Sequence, residues 1–170
     1  MQFSVRSALS LFAILSASVM ADDSNLENIG LYVESDNTEI DGNGLSSKHS
    51  GAGIDYFFLG TGSETLIFDS SKAQIYKNFA GQYEQYFDVA TSNYVQMTVS
   101  DANIASVQFT QVDGGKQYLT LGSSQDGFYA CKNVNDPYNY SASSYELMYY
   151  ADGNVNNDSC VAVKVYREVN

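Results

Sequence analysis

The chain has 170 residues with 20 Asp and Glu against 8 Lys and Arg, a net charge of −12, which argues against nucleic acid or an anionic lipid surface as a partner. Two cysteines and one histidine are too few soft ligands for a zinc centre, and neither a metal nor another cofactor is expected. A chain of this size buries about 70% of its unfolded surface on folding, so a core is expected without help from a metal.

Residues 1–21 read as a secretory signal. Arg6 supplies the positive start, Ala8 to Ala17 the apolar run, and Val19, Met20 and Ala21 a small-residue cleavage site before Asp22 and Asp23. The apolar run is shorter than the roughly 20 residues of a membrane span. The small-residue site, polar spacer and hydrophobic tail of a glycolipid anchor are not read at the other end, so a secreted protein without a membrane anchor is expected. Residues 22–170 are then one β-rich extracellular domain.

From residue 28 to 167 apolar and polar residues alternate between Gly, Asn, Asp and Ser clusters, the pattern of many short strands. Strands are predicted over 30–34, 54–59, 64–69, 74–79, 84–90, 95–99 and 107–110. Asp113, Gly114 and Gly115 form a hairpin turn, and further strands follow over 117–122, 127–132, 145–150 and 160–167. Val95, Met97 and Val99 against Gln96 and Thr98 show the period of two most plainly. No segment of ten residues has helical periodicity, and the single proline, Pro137, falls in a loop. The expected fold is an antiparallel β-sandwich or barrel of about 10–12 short strands, with a β-trefoil as the alternative.

In the oxidising compartment that a signal implies, Cys131 and Cys160 are expected to form a disulfide. Closing a loop of that length stabilises a fold by roughly 3.5 kcal/mol in the chain-entropy account. Asn139-Tyr140-Ser141 and Asn157-Asp158-Ser159 are sequons for N-glycosylation. The Asp/Asn-rich stretches 36–43 and 152–158 offer oxygen ligands for calcium but fit no helix-flanked calcium loop, and ordinary turn chemistry is the favoured reading.

Candidate chemistry is sparse. The sole histidine, His49, lies in a Gly- and Ser-rich loop with Ser46, Ser47 and Ser50 nearby, but no nucleophile-elbow pattern surrounds them. A carboxylate pair for glycoside hydrolysis cannot be picked from 20 acidic residues. His49 together with Tyr56, Tyr138 and Tyr140 forms the candidate ligand-binding set, because binding residues favour loops displayed on a rigid scaffold and tyrosine suits sugar stacking.

Three segments carry a family resemblance: 31–37 (Leu-Tyr-Val-Glu-Ser-Asp-Asn), 44–59 (Gly-Leu-Ser-Ser-Lys-His-Ser-Gly-Ala-Gly-Ile-Asp-Tyr-Phe-Phe-Leu) and 131–141 (Cys-Lys-Asn-Val-Asn-Asp-Pro-Tyr-Asn-Tyr-Ser). They resemble the yeast cell-wall mannoproteins that include hyphally repressed, glycolipid-anchored wall proteins of Candida. The likeness runs from Gly30 to about Arg167. His49-Ser50-Gly51 stands where that family has His-Glu-Gly, and the Ser/Thr-rich stalk and anchor signal of such proteins are not read here. The resemblance implies no catalytic residues. It implies a non-enzymatic, secreted or wall-associated glycoprotein with a structural or surface role. The alternative is an extracellular binding module for a wall polysaccharide or for a small ligand such as a lipidated mating pheromone.

Overall fold

The computed structural model describes residues 25–79, 81–102, 104–112 and 114–170, so the signal segment and Asp113 of the predicted turn lie outside it. Seven strands close on themselves: β1 (Leu26–Glu34), β2 (Gly44–Gly51), β3 (Ile54–Gly60), β4 (Leu66–Asp69), β5 (Gln74–Phe79), β6 (Tyr83–Val89) and β7 (Val95–Thr98). Around the ring the order is β1-β2-β3-β7-β6-β5-β4 and back to β1, every pair antiparallel. The fold is therefore the barrel of the sequence-based alternatives, with further strands attached on two sides.

On the free edge of β1 lies β13 (Lys164–Val169), followed outward by β9 (Gln117–Leu121) and β8 (Val107–Gln111). Beyond β3 lie β11 (Glu146–Tyr149), β10 (Phe128–Cys131) and β12 (Val161–Ala162). Among the described residues the only helical turn is the 3-10 segment Tyr140–Ala142, and no helix is long and apolar enough to cross a membrane.

Alternation explains the core. Ile29, Leu31 and Val33 of β1 point inward beside Leu45, Phe57, Leu66, Phe87 and Met97 from the rest of the ring, all fully buried. Burial of one such side chain is worth about 1.5–3 kcal/mol. Ile40, in the loop after β1, plugs into the same cluster. That loop spends its polar groups on its own backbone: the Asn37 side chain accepts from the Glu39 amide and Asp41 accepts from the Ser35 amide. Asp152 does the same for Asn154 in the loop after β11. Both stretches thus carry the side-chain-to-backbone hydrogen bonds of Asx turns.

Two expectations need correction. Residues 44–53, read as a loop, contain β2, and His49 lies on a strand. Only Leu45 of the alternate positions Leu45, Ser47 and His49 is apolar, so the segment has no hydrophobic period to read. Its ladder to β3 holds it instead, from Gly44↔Gly60 to His49↔Asp55, with a bulge at Ser50 whose hydroxyl accepts from the Tyr56 amide. The predicted strand 160–167 is broken at Val163, where β12 leaves β10 and β13 takes up β1. β8 and β9 pair antiparallel, with the Val112 amide bonded to Lys116 O and positive φ at Gly114 and Gly115, the described residues of the predicted turn.

Candidate functional site

On β3 the side chains of Tyr56 and Phe58 point away from the barrel core, and β2 adds Lys48 to the same outer face, directly opposite Tyr56 in the ladder. β11 extends this face with Glu146, whose ladder partners are Phe58 on one side and Cys131 on the other. Residues 132–145 fold back over it. Asp136 organises this loop by accepting hydrogen bonds from the Tyr140 and Ser141 amides, both at 2.8 Å, and from the Ser141 hydroxyl at 2.5 Å.

The loop carries an aromatic ridge. Tyr138 and Tyr140 stack with ring centroids 5.7 Å apart, and Tyr138 lies 5.9 Å from the His49 ring. Tyr140 meets Phe58 edge-on at 5.7 Å, and the Lys48 ammonium sits 4.8 Å from the Phe58 ring centre and 5.5 Å from that of Tyr140. Tyr138 remains 52% exposed. Between the two tyrosines, Asn139 is exposed with a left-handed backbone, φ 56°.

Three of the four residues picked from sequence therefore come together. Tyr56 stands apart: it stacks flat on Tyr94 at 4.4 Å, and the Tyr94 hydroxyl donates to Val134 O of the loop at 2.6 Å.

Two polar clusters were not picked out from the sequence. Under the loop, Glu146 is 0% exposed and both its carboxylate oxygens lack a hydrogen-bond partner among the described residues. Burial, reinforced by the nearby Asp136 carboxylate, pushes its pKa up to about 8. At one end of the barrel interior, the Lys77 ammonium contacts Ser47 Oγ at 2.5 Å, Asp55 at 3.1 Å and Glu64 at 3.4 Å, and His49 Nδ1 lies 3.5 Å from Asp55. The only signal for the first was an acidic residue inside a predicted strand, and for the second a lysine at an inward position of β5.

Neither cluster has the form of a glycosidase pair, which needs two carboxylates facing an open groove. Glu146 and Asp136 are both buried, and Asp55 and Glu64 share one ammonium ion.

No family model matches the chain, and no solved structure matches it. Curated proteins do. The chain is 36% identical over 144 residues to Cell wall protein RHD3 of Candida albicans, covering 78% of this chain and 62% of that protein. It is 33% identical to Cell wall protein PGA30 of the same organism (72% of this chain, 43% of the relative) and 31% identical to Cell wall protein PGA31 (86% and 48%). The chain belongs to this family of yeast cell-wall proteins. It spans about two-fifths to three-fifths of the length of these relatives.

A member of this wall-protein family is secreted to the cell wall, and its one disulfide suits that compartment. Cys131, the last residue of β10, pairs with Cys160, just ahead of β12, with Cα atoms 4.0 Å apart. The bond joins neighbouring strands of one sheet, and it clamps both ends of the segment that holds the ridge and β11. Beside it, the second sequon is folded into the clamp. The Asn157 amide donates to Lys132 O, and its carbonyl oxygen accepts from the Ser159 hydroxyl and amide.

Proposed function

We propose that this family member is a non-enzymatic glycoprotein of the cell wall, acting as a structural and surface component through its bulk, its negative charge and a glycan displayed at Asn139. The observation that carries this reading is the clamped loop 132–145. It is held at its base by the disulfide and internally by Asp136, and it exposes a sequon at its tip on a closed barrel. Acceptor sequons are used where they are exposed. The ion pairing of Asp55 and Glu64 with Lys77 and the burial of Glu146 support a non-catalytic role. Fractionating a culture into medium, wall and intracellular pools tests it: the chain is expected in the wall and medium, and a chiefly intracellular pool would end this reading.

A second reading is favoured by the ridge itself. An exposed stacked pair of tyrosines flanked by His49 and Lys48 suits contact with a pyranose face or with an apolar peptide or lipid group. Calorimetry of the chain and its Tyr138→Ala/Tyr140→Ala variant against glucan, chitin oligomers and farnesylated peptides separates the two. Heat from the parent chain that the variant loses supports binding at the ridge, and no heat from the parent chain rejects it.

A further inference from the structure

The segment that carries the ridge also walls a cleft. Residues 133–135, the stretch 92–94 ahead of β7 and the stretch 150–157 after β11 border an open cleft of about 770 Å³, within the size range of small-ligand sites. Its lining is dominated by one side-chain type: Asn93, Asn133, Asn135, Asn154, Asn156 and Asn157.

The electrostatics select against an ion. In a chain with 20 acidic residues, this lining holds one carboxylate, Asp152, and no cationic side chain. The Asp152 oxygens are engaged by the backbone and side-chain amides of Asn154 at 3.0 and 2.8 Å.

The remaining amides are solvent-facing: Asn133, Asn135 and Asn156 are exposed and Asn93 is half-buried. Asn154 and Asn157 bond within the protein, whereas the side chains of Asn93, Asn133, Asn135 and Asn156 make no hydrogen bond to the described residues. Each free amide offers two donors and an acceptor, a set that matches hydroxyl groups, which both give and take hydrogen bonds.

Two aromatic rings complete the lining. Tyr94 is fixed in place by its stack on Tyr56 and its bond to Val134 O, and Tyr150 meets Tyr129 edge-on at 5.7 Å. Rings of this kind supply an apolar face with a polar tip. Left-handed turns account singly for asparagine at 93, 133 and 135, where φ is 71°, 55° and 64°. They do not account for all three opening on one cleft, nor for Asn156 beside them, whose backbone is not left-handed.

We propose that this amide-lined cleft binds a neutral oligosaccharide of hexose or N-acetylhexosamine units, at a site separate from the Tyr138–Tyr140 ridge. Uncharged amides and tyrosine rings recognise such a ligand by its hydroxyl pattern and its apolar ring face.

The test uses the secreted, enzymatically deglycosylated chain titrated with laminaritriose, mannotriose and chitotriose by calorimetry and by NMR of side-chain amides. One trisaccharide is expected to bind in the millimolar range or tighter and to shift the amide signals of Asn133, Asn135 and Asn156. Asn135→Gly/Asn156→Ala keeps the left-handed turn and should weaken binding at least about tenfold with the melting temperature retained. Asn93→Gly is the second variant, expected to weaken binding from the opposite wall. Val112→Ala, at an exposed residue outside both the cleft and the ridge, should leave the affinity unchanged. No binding of any of the three sugars at millimolar concentration, or full affinity in both cleft variants, would each overturn the proposal.

Discussion

Glu146 carries the plainest consequence of a single buried residue. Its carboxyl group, held near pKa 8 by burial and by Asp136, stays protonated in the folded chain over a range where an unfolded glutamate, near 4.5, is ionised. The folded state thus binds one more proton between those values, so stability is full below about pH 4.5 and falls as pH rises through 8. A shift of that size corresponds to a loss on the order of a few kcal/mol. Asp136 acts in the opposite sense. Burial alone would raise its pKa, but the Ser141 hydroxyl and the Ser141 and Tyr140 amides hold it below the usual range, so its contribution is present at neutral pH and lost in acid. Melting curves across pH 4–9 should therefore show a maximum on the acidic side of neutrality. Glu146→Gln is expected to flatten the alkaline limb, and an unchanged limb in that variant would show that another group drives it.

At the scale of elements, the clamp between β10 and β12 governs the segment that holds the ridge. Reduction should lower the melting temperature by roughly 6–12 °C, since a bond of this kind is worth about 3 kcal/mol; alkylation of the non-reduced chain should label no cysteine, and two labelled thiols would contradict the pairing. The two sequons should differ. Glycopeptide mapping is expected to find Asn139 occupied and Asn157 bare, because the Asn157 amide is already spent on Lys132 O; a glycan on Asn157 with none on Asn139 would reverse this. β1 and β7 were legible because apolar residues recur every second position, Ile29, Leu31 and Val33 in one and Val95 and Met97 in the other, and β3 because it is a short aromatic-rich apolar run. β2 was not, because its positions in register with Leu45 are Ser47, which contacts Lys77, and the exposed His49 beside Asp55, members of an ion cluster that only tertiary structure assembles. In the same way, His49, Tyr138 and Tyr140 could be chosen for their chemistry, but Tyr56 could not be separated from them until its stack on Tyr94 was seen. Glu146 reads as a solvent-facing strand residue until the loop closes over it.

For the molecule as a whole, ring closure depends on the seam between β1 and β2, which is short: Tyr32 pairs with Gly44, and the Val33 amide bonds Asn43 O. A side chain at Gly44 would overlap the Gly62 backbone, whereas Gly60 faces open space. Gly44→Ala should cost about 1–3 kcal/mol as an overpacked site, measured by urea unfolding, with Gly60→Ala near neutral as the control. Equal costs would show that the seam is not the constraint. The pairing of β1 with β13 also sets how the barrel meets mechanical force. The register runs antiparallel from Ile29↔Val169 to Glu34↔Lys164, and the Asn170 amide bonds Asn28 O, so residues 25 and 170 lie at the same end of the ladder. Tension applied through those two points peels the pairs apart one after another, while tension between Leu26 and Lys164 strains them together in shear. The same fold therefore yields readily to a pull through residues 25 and 170 and resists a pull along β1.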